Sequence, residues 1–176
     1  MATLRVETLV FNFQPSIAAQ KYDDSVHYLT AWRHRHGQKA VDVVAMRMAA
    51  VPDRVWLIEA KDFRIITTPP EPSNNQELAD TVLTKVTHTL AGLADAAVNA
   101  NDPGEKQHAA RAMAARHRRI VLHLEPHVGH HTKLFPRNFS GNVLQQLKRL
   151  VKHIDPKPLV LNIATTRRAR VPWAVS

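Results

Sequence analysis

The chain has 176 residues, of which 44% are hydrophobic and 22% charged, so it can build one domain with a full core and is neither disordered nor fibrous. The absence of cysteine excludes a disulfide scaffold, a thiolate metal site and a thiol nucleophile. Lysine and arginine number 24 against 15 acidic residues, a net charge of +9, which favours a polyanionic partner, with nucleic acid first and an anionic membrane second.

The first half of the chain contains strand and helix patterns in succession. Stretches rich in β-branched and aromatic residues predict strands at residues 4–13, 40–48 and 54–63. The last two are joined by a short turn containing Pro52, which predicts a β-hairpin. Residues 17–33 predict a helix, because Tyr22, Val26 and Leu29 follow four-and-three spacing.

The second half is mainly helical. Apolar stripes predict helices at residues 76–99, 103–117 and 142–154, and strands at 119–125 and 158–164. Asp102 is the predicted cap of the middle helix, with Glu105 as its capping-box partner. Residues 67–75 and 126–139 predict loops.

The order of these elements predicts a single α/β domain over residues 1–176, with a mixed central β-sheet and helices on both faces. We expect its core at about residues 17–125, followed by a C-terminal helix and strand at 140–165. Neither a signal peptide nor a stretch of roughly 18 apolar residues is visible, so we expect a cytoplasmic protein without a membrane span.

Three charged residues lie at the end of the predicted hairpin that is remote from its turn. Side chains alternate along a strand, so Glu59 and Lys61 share one face of the segment WLIEAKDF. Antiparallel pairing about the turn places Asp42 opposite residues 60–62. A hairpin held together by packing alone has no need of this cluster.

Phosphodiester hydrolysis does need such a cluster. Two carboxylates, here Asp42 and Glu59, can hold Mg²⁺ or Mn²⁺ through oxygen ligands while leaving room for water and a phosphate oxygen. A lysine, here Lys61, can orient or deprotonate that water, or neutralise the developing negative charge.

Asp42 followed by Glu59-Ala60-Lys61 resembles the PD-(D/E)XK nuclease superfamily, although Val41 stands where a proline is usual. The resemblance implies a restriction-endonuclease-like core of a helix, a three-strand meander, a helix and a further strand. It implies Asp42, Glu59 and Lys61 as catalytic residues, Asp42 and Glu59 as metal ligands, and Asp23 as a further ligand. The first strand of the meander is not evident from the sequence pattern.

Basic residues outside this triad predict contacts to nucleic acid, because phosphate contacts come mostly from arginine and lysine. The candidates are Arg33, Arg35, Lys85, Arg118, Lys148 and Arg149. DNA is the expected substrate, cut by a metal-dependent endonuclease. A homodimer would supply the two sites needed to cut both strands.

Other interpretations stay open. The chain could be a catalytically silent nucleic-acid-binding or assembly subunit with a nuclease-like fold, or the toxic nuclease domain of a secreted effector. A zinc site at His123, His127, His130 and His131 is disfavoured, because two of these histidines are adjacent and no cysteine is available.

Overall fold

The computed structural model describes residues 2–36, 38–64, 74–126 and 138–176, apart from the side chains of Arg35 and His36. The loops predicted at 67–75 and 126–139 lie almost wholly outside these ranges. The strands are β1 (Thr3–Val6), β2 (Leu9–Phe13), β3 (Ile17–Lys21), β4 (Val43–Arg47), β5 (Arg54–Asp62), β6 (His117–Glu125), β7 (Leu159–Leu161) and β8 (Trp173–Val175). The helices are α1 (Arg33–His36), α2 (Asn75–Asn99), α3 (Pro103–Ala114), α4 (Phe139–Val151) and α5 (Ile163–Thr166).

The strands form two sheets. The larger has the order β3-β4-β5-β6-β7, in which β3, β4 and β5 are antiparallel neighbours and β5, β6 and β7 run parallel. The smaller is antiparallel, with the order β1-β2-β8. The protein is therefore an α/β domain with a mixed sheet, as the sequence predicted.

The two faces of the large sheet are covered differently. One packs against α2, α3 and α4, with the side chains of Val55 and Leu57 buried between. The other carries the small sheet, where Trp173 packs edge-on against Trp56 with ring centroids 5.7 Å apart. Among the described residues, helices longer than one turn cover one face only, whereas the sequence predicted helices on both.

The small sheet depends on a tight turn that the sequence pattern does not predict. Residues 4–13 were predicted as one strand, but the chain reverses between Val6 and Leu9, which pair with each other. Glu7 has a φ of 53° there, a conformation usually supplied by glycine or asparagine, so no local signal marks the turn. The hairpin buries Phe11 and Phe13 on the large sheet.

The helix predicted at residues 17–33 is wrong in its first part. Ile17–Lys21 is β3, the edge strand beside β4, and a 3-10 turn (Tyr22–Asp24) and a π-helical turn (Tyr28–Trp32) follow. Tyr22 is buried while Val26 is 60% exposed, so they do not share a helix face. Strand pairing with β4 overrides the local preference.

The other predicted elements are present with different ends. The predicted strand 158–164 stops at Leu161 because helix α5 begins at Ile163, and the predicted helix 103–117 ends at Ala114 because strand β6 begins at His117. Asp102 caps α3 by accepting a hydrogen bond from the Glu105 amide at 2.7 Å. The Glu105 carboxylate does not complete the capping box; it accepts hydrogen bonds from the amides of Val26 and His27 instead. Within the described part of the chain, every helix is too short or too polar to cross a membrane.

Candidate functional site

The hairpin β4–β5 brings the predicted triad together. Val43 pairs with Ile58, so Asp42, immediately before β4, lies opposite Glu59, one residue earlier than predicted. Asp42 and Glu59 point to the helix-covered face of the sheet, as do Val44 and Leu57. Glu59 is fully buried and Asp42 is 7% exposed, so both carboxylates have lost most of their water.

Lys85 of α2 lies among these carboxylates. Its Nζ is 2.7 Å from Glu59 Oε1, 2.8 Å from Glu59 Oε2 and 3.8 Å from Asp42 Oδ1. Lys61 Nζ is 3.3 Å from the same Glu59 Oε1. Lys85, predicted as a nucleic-acid contact, is therefore an internal partner of both acidic residues.

The local backbone holds Asp42 in place. Its Oδ2 accepts a hydrogen bond from the Ala60 amide at 2.7 Å, across the hairpin. The amide of Val41 donates to Thr89 Oγ1 of α2 at 2.9 Å. Strand β5 thus holds the carboxylate of Asp42, and helix α2 holds the backbone immediately before it.

Burial perturbs the titration of the acidic residues. Desolvation, followed by the charge of Asp42, raises the pKa of Glu59 to about 7, against the opposing effect of Lys85 and Lys61. Desolvation and the charge of Asp42 also raise the pKa of Asp23 to about 6. Asp23 therefore lies within electrostatic reach of Asp42, beside the cluster that the sequence predicted it would join.

Lys61 keeps its proton. Burial alone would lower its pKa, but the carboxylates of Glu59, Glu7 and Asp42 together raise it above the ordinary value. An ammonium group at neutral pH cannot act as a general base. The raised pKa disfavours the predicted role of Lys61 as a base that deprotonates water.

The oxygen donors that could contribute to a metal site are the carboxylates of Asp42, Glu59 and Asp23. Asp42 and Glu59 flank the Lys85 ammonium, and Glu59 also contacts Lys61. Asp23 Oδ1 is buried, accepts no hydrogen bond from the described residues and lies 3.9 Å from Lys21 Nζ. Mg²⁺ is commonly held by one or two carboxylates and water. In the described ranges no three histidine, aspartate or glutamate side chains are arranged to hold a metal ion.

Sequence reasoning missed Glu7 and the role of Lys85. Glu7, at the β1–β2 turn, accepts a hydrogen bond from the Asp62 amide at 2.8 Å and lies 3.5 Å from Lys61 Nζ. No local pattern links it to β5. Lys85 did carry a signal, because it stands seven residues after the buried Leu78 and hence on the buried face of α2.

The other predicted contact residues are dispersed. Arg118 lies near the start of β6, at the opposite end of the sheet from the triad. Lys148 and Arg149 are in the last turn of α4, where Arg149 donates to Gln76 Oε1 at 3.0 Å. Arg33 is exposed at the start of α1. The side chain of Arg35, and all of His127, His130 and His131, lie outside the described residues.

Fold and site together define a single-domain α/β protein with a buried cluster of carboxylates and ammonium groups at one end of its mixed sheet. No protein-family model matches the chain, and no solved structure matches it. The chain is 27% identical over 214 aligned residues to a Cysteine--tRNA ligase of Neisseria meningitidis serogroup A / serotype 4A. That alignment covers 100% of this chain but 30% of the ligase, so the chain spans less than a third of its relative's length.

Proposed function

We propose that this protein is a divalent-metal-dependent nuclease that hydrolyses phosphodiester bonds, most simply a DNA endonuclease of the PD-(D/E)XK type. The observation that carries the proposal is the convergence of Asp42, Glu59 and Lys61 on one face of the sheet, where Glu59 contacts the ammonium groups of both Lys61 and Lys85. Packing alone does not account for burying so much charge, which costs several kcal/mol per ion before pairing.

The order of elements supports the same proposal. The meander β3–β4–β5, then α2 and β6, follows the arrangement that the resemblance implies, with the acidic residue at the start of the second meander strand and Glu59 and Lys61 on the third. There are two departures. The β1–β2 hairpin, and not a helix, precedes the meander, and helical turns within residues 22–36 separate β3 from β4.

Each residue of the cluster has a defined task in this proposal. Asp42 and Glu59 would hold Mg²⁺ or Mn²⁺, with Asp23 as a further ligand, and the bound ion supplies a polarised phosphate and a water of lowered pKa. Lys61 stabilises negative charge on the phosphate as it develops. Lys85 keeps the two carboxylates together when they hold no metal.

The test is nicking of supercoiled plasmid, and cleavage of a structured RNA, with Mg²⁺, with Mn²⁺ and with EDTA. Lys61→Ala should lower the rate on the order of 100-fold or more, the usual cost of losing a group that stabilises transition-state charge. Lys106→Ala is the matched control, because Lys106 is exposed on α3. Wild-type rates for Lys61→Ala would contradict the assignment of the site.

A second candidate is a nucleic-acid-binding module without catalysis. It is favoured by the direct bonding of Lys85 to Glu59 and by the similarity to part of a Cysteine--tRNA ligase, a protein named for its action on tRNA. Titration calorimetry with Mn²⁺ at about pH 8, where Glu59 is ionised, separates the two candidates. Metal binding that disappears in Asp42→Asn and Glu59→Gln supports the nuclease, whereas tRNA binding without any metal binding supports the module.

A cytoplasmic location and a homodimer belong to the same proposal. Sedimentation velocity at several protein concentrations, with and without a DNA duplex, tests the dimer. A monomer on the duplex would restrict the protein to nicking one strand at a time.

A further inference from the structure

Two adjacent cavities lie at the other end of the large sheet. One, of about 400 Å³, is lined by Arg47, Arg54 and Arg170 together with Trp56. The second, of about 430 Å³, shares Arg54 and is lined by the cationic side chains of Arg116, Arg118, Arg119 and Lys157. We call these seven basic residues the basic recess.

The basic recess is separate from the carboxylate cluster. Arg54 opens β5, and Lys61 stands seven residues further along the same strand, which corresponds to roughly 23 Å. Strand β6 runs parallel with Arg54 opposite His117, so the cations of both strands lie at the same end of the sheet.

Positive charge dominates the recess. Among the described lining residues, seven cations face two carboxylates, Asp53 and Asp155. Asp155 is buried and engaged by the amides of Ile120 and Lys157, and lies 3.4 Å from Arg119 Nε. Asp53 is exposed and lies 3.8 Å from Arg54 Nη2.

Backbone hydrogen bonds join the two chain segments that carry most of these cations. The amides of Arg116 and His117 donate to the carbonyls of Pro52 and Asp53 at 3.2 and 3.0 Å, which ties the β4–β5 turn to the start of β6. Arg54 Nε is buried and finds no acceptor within the described chain. A buried donor without an acceptor is costly, so a ligand oxygen in the recess would be stabilised.

The chemistry of the recess fits phosphate groups. Six of its seven cations are arginines, whose planar guanidinium groups bind phosphate oxygens in pairs. The cations line concave cavities, which the phosphates of a chain can enter and a flat membrane surface cannot. We propose that the basic recess binds the phosphodiester backbone of a nucleic acid, so that the protein holds nucleic acid at a second place remote from Asp42 and Glu59.

The experiment is fluorescence-anisotropy binding in EDTA, with duplex DNA and tRNA as separate probes, at salt concentrations from about 50 to about 200 mM. Because EDTA removes metal, the result does not depend on the proposed nuclease activity. The variant is Arg116→Gln with Arg170→Gln, one exposed arginine from each cavity. The control is Arg5→Gln with Lys106→Gln, exposed cations outside the recess that change the net charge equally.

The recess variant should raise the Kd on the order of 10-fold for DNA, tRNA or both, and lower the salt slope by about 2, one unit for each phosphate that an arginine no longer neutralises. The control should leave the slope unchanged. Equal weakening in both pairs, or none in the recess pair, would overturn the proposal. So would binding to phosphatidylserine vesicles that the recess variant abolishes while its nucleic-acid affinity stays intact.

Discussion

At the scale of single residues, the central interaction of the carboxylate cluster is the buried ion pair between Lys85 and Glu59. Their side chains are 17% and 1% exposed, and the ammonium contacts both oxygens of the carboxylate. Removing one partner from a buried pair leaves the other charge uncompensated. Glu59 can relieve this by taking up a proton, because its pKa is already raised to about 7.

Lys85→Met should therefore destabilise the protein in a pH-dependent way. We expect a loss on the order of 3 kcal/mol at about pH 8, where Glu59 must carry its charge, and a smaller loss at about pH 5, where it is protonated. Urea unfolding in EDTA at the two pH values measures the difference. The double variant Lys85→Met with Glu59→Gln should lose less unfolding free energy than the sum of the losses in the single variants. Equal losses for Lys85→Met at both pH values would refute this account.

At the scale of secondary structure, α2 joins the site to the N-terminal segment. Helix α2 carries Lys85, and its Thr89 accepts a hydrogen bond from the backbone amide of Val41. Its Gly92 packs against the ring of Trp32. A Cβ at Gly92 would lie 2.6 Å from Tyr22 Oη and 3.0 Å from Trp32 Cδ1, closer than packing allows. Gly92 is therefore required by close packing and not by backbone conformation.

Gly92→Ala should lower the unfolding free energy by about 1 to 3 kcal/mol, because overpacking outweighs the gain in helix propensity of about 1 kcal/mol. Gly141→Ala in α4 is the control: nothing lies within 4 Å of its Cβ, so that variant should be as stable as the wild type or more so. Chemical denaturation of both variants gives the comparison. A stabilised Gly92→Ala protein would mean that α2 has room to shift away from Trp32.

Elements with strong local patterns were predictable from the sequence. The β4–β5 hairpin and α2 follow from alternation and helical spacing, and with them the placement of Asp42, Glu59 and Lys61 on one face. Strand β3 could not be predicted from the sequence, because its residues IAAQK favour a helix and only pairing with β4 makes them a strand. Glu7 reaches Lys61 across 54 positions of the chain, a contact that only tertiary structure creates.

At the scale of the whole molecule, the charge is divided between two ends of one sheet. The carboxylate cluster, with its raised pKa values, lies at one end, and the basic recess at the other. The net charge of +9 is therefore not spread evenly. The buried acid Glu59 and the buried histidine His108 also make the free energy of unfolding depend on pH, in opposite directions.

The acids should make the folded state less stable as pH rises. The pKa of Glu59 is raised from 4.5 to about 7, so the folded protein keeps a proton that the unfolded chain releases. The unfolding free energy therefore falls between about pH 4.5 and pH 7 and is level above that. Burial lowers the pKa of His108 from 6.5 to about 4, so its contribution is lost as pH falls through that range.

Two substitutions should separate these opposing effects in thermal or urea unfolding carried out in EDTA from about pH 4 to pH 8. Relative to wild type, Glu59→Gln should gain stability as pH rises from about 4.5 to about 7, on the order of 1 to 3 kcal/mol, because its side chain has no proton to release. His108→Gln should gain stability relative to wild type as pH falls below about 6.5, because the unfolded state of the variant has one fewer imidazole to protonate. Parallel curves for wild type and Glu59→Gln would mean that Glu59 titrates normally in the folded protein, and the buried carboxylate cluster would then be hydrated. Opposite slopes for the two variants would show that burial keeps both Glu59 and His108 uncharged in the folded protein at intermediate pH.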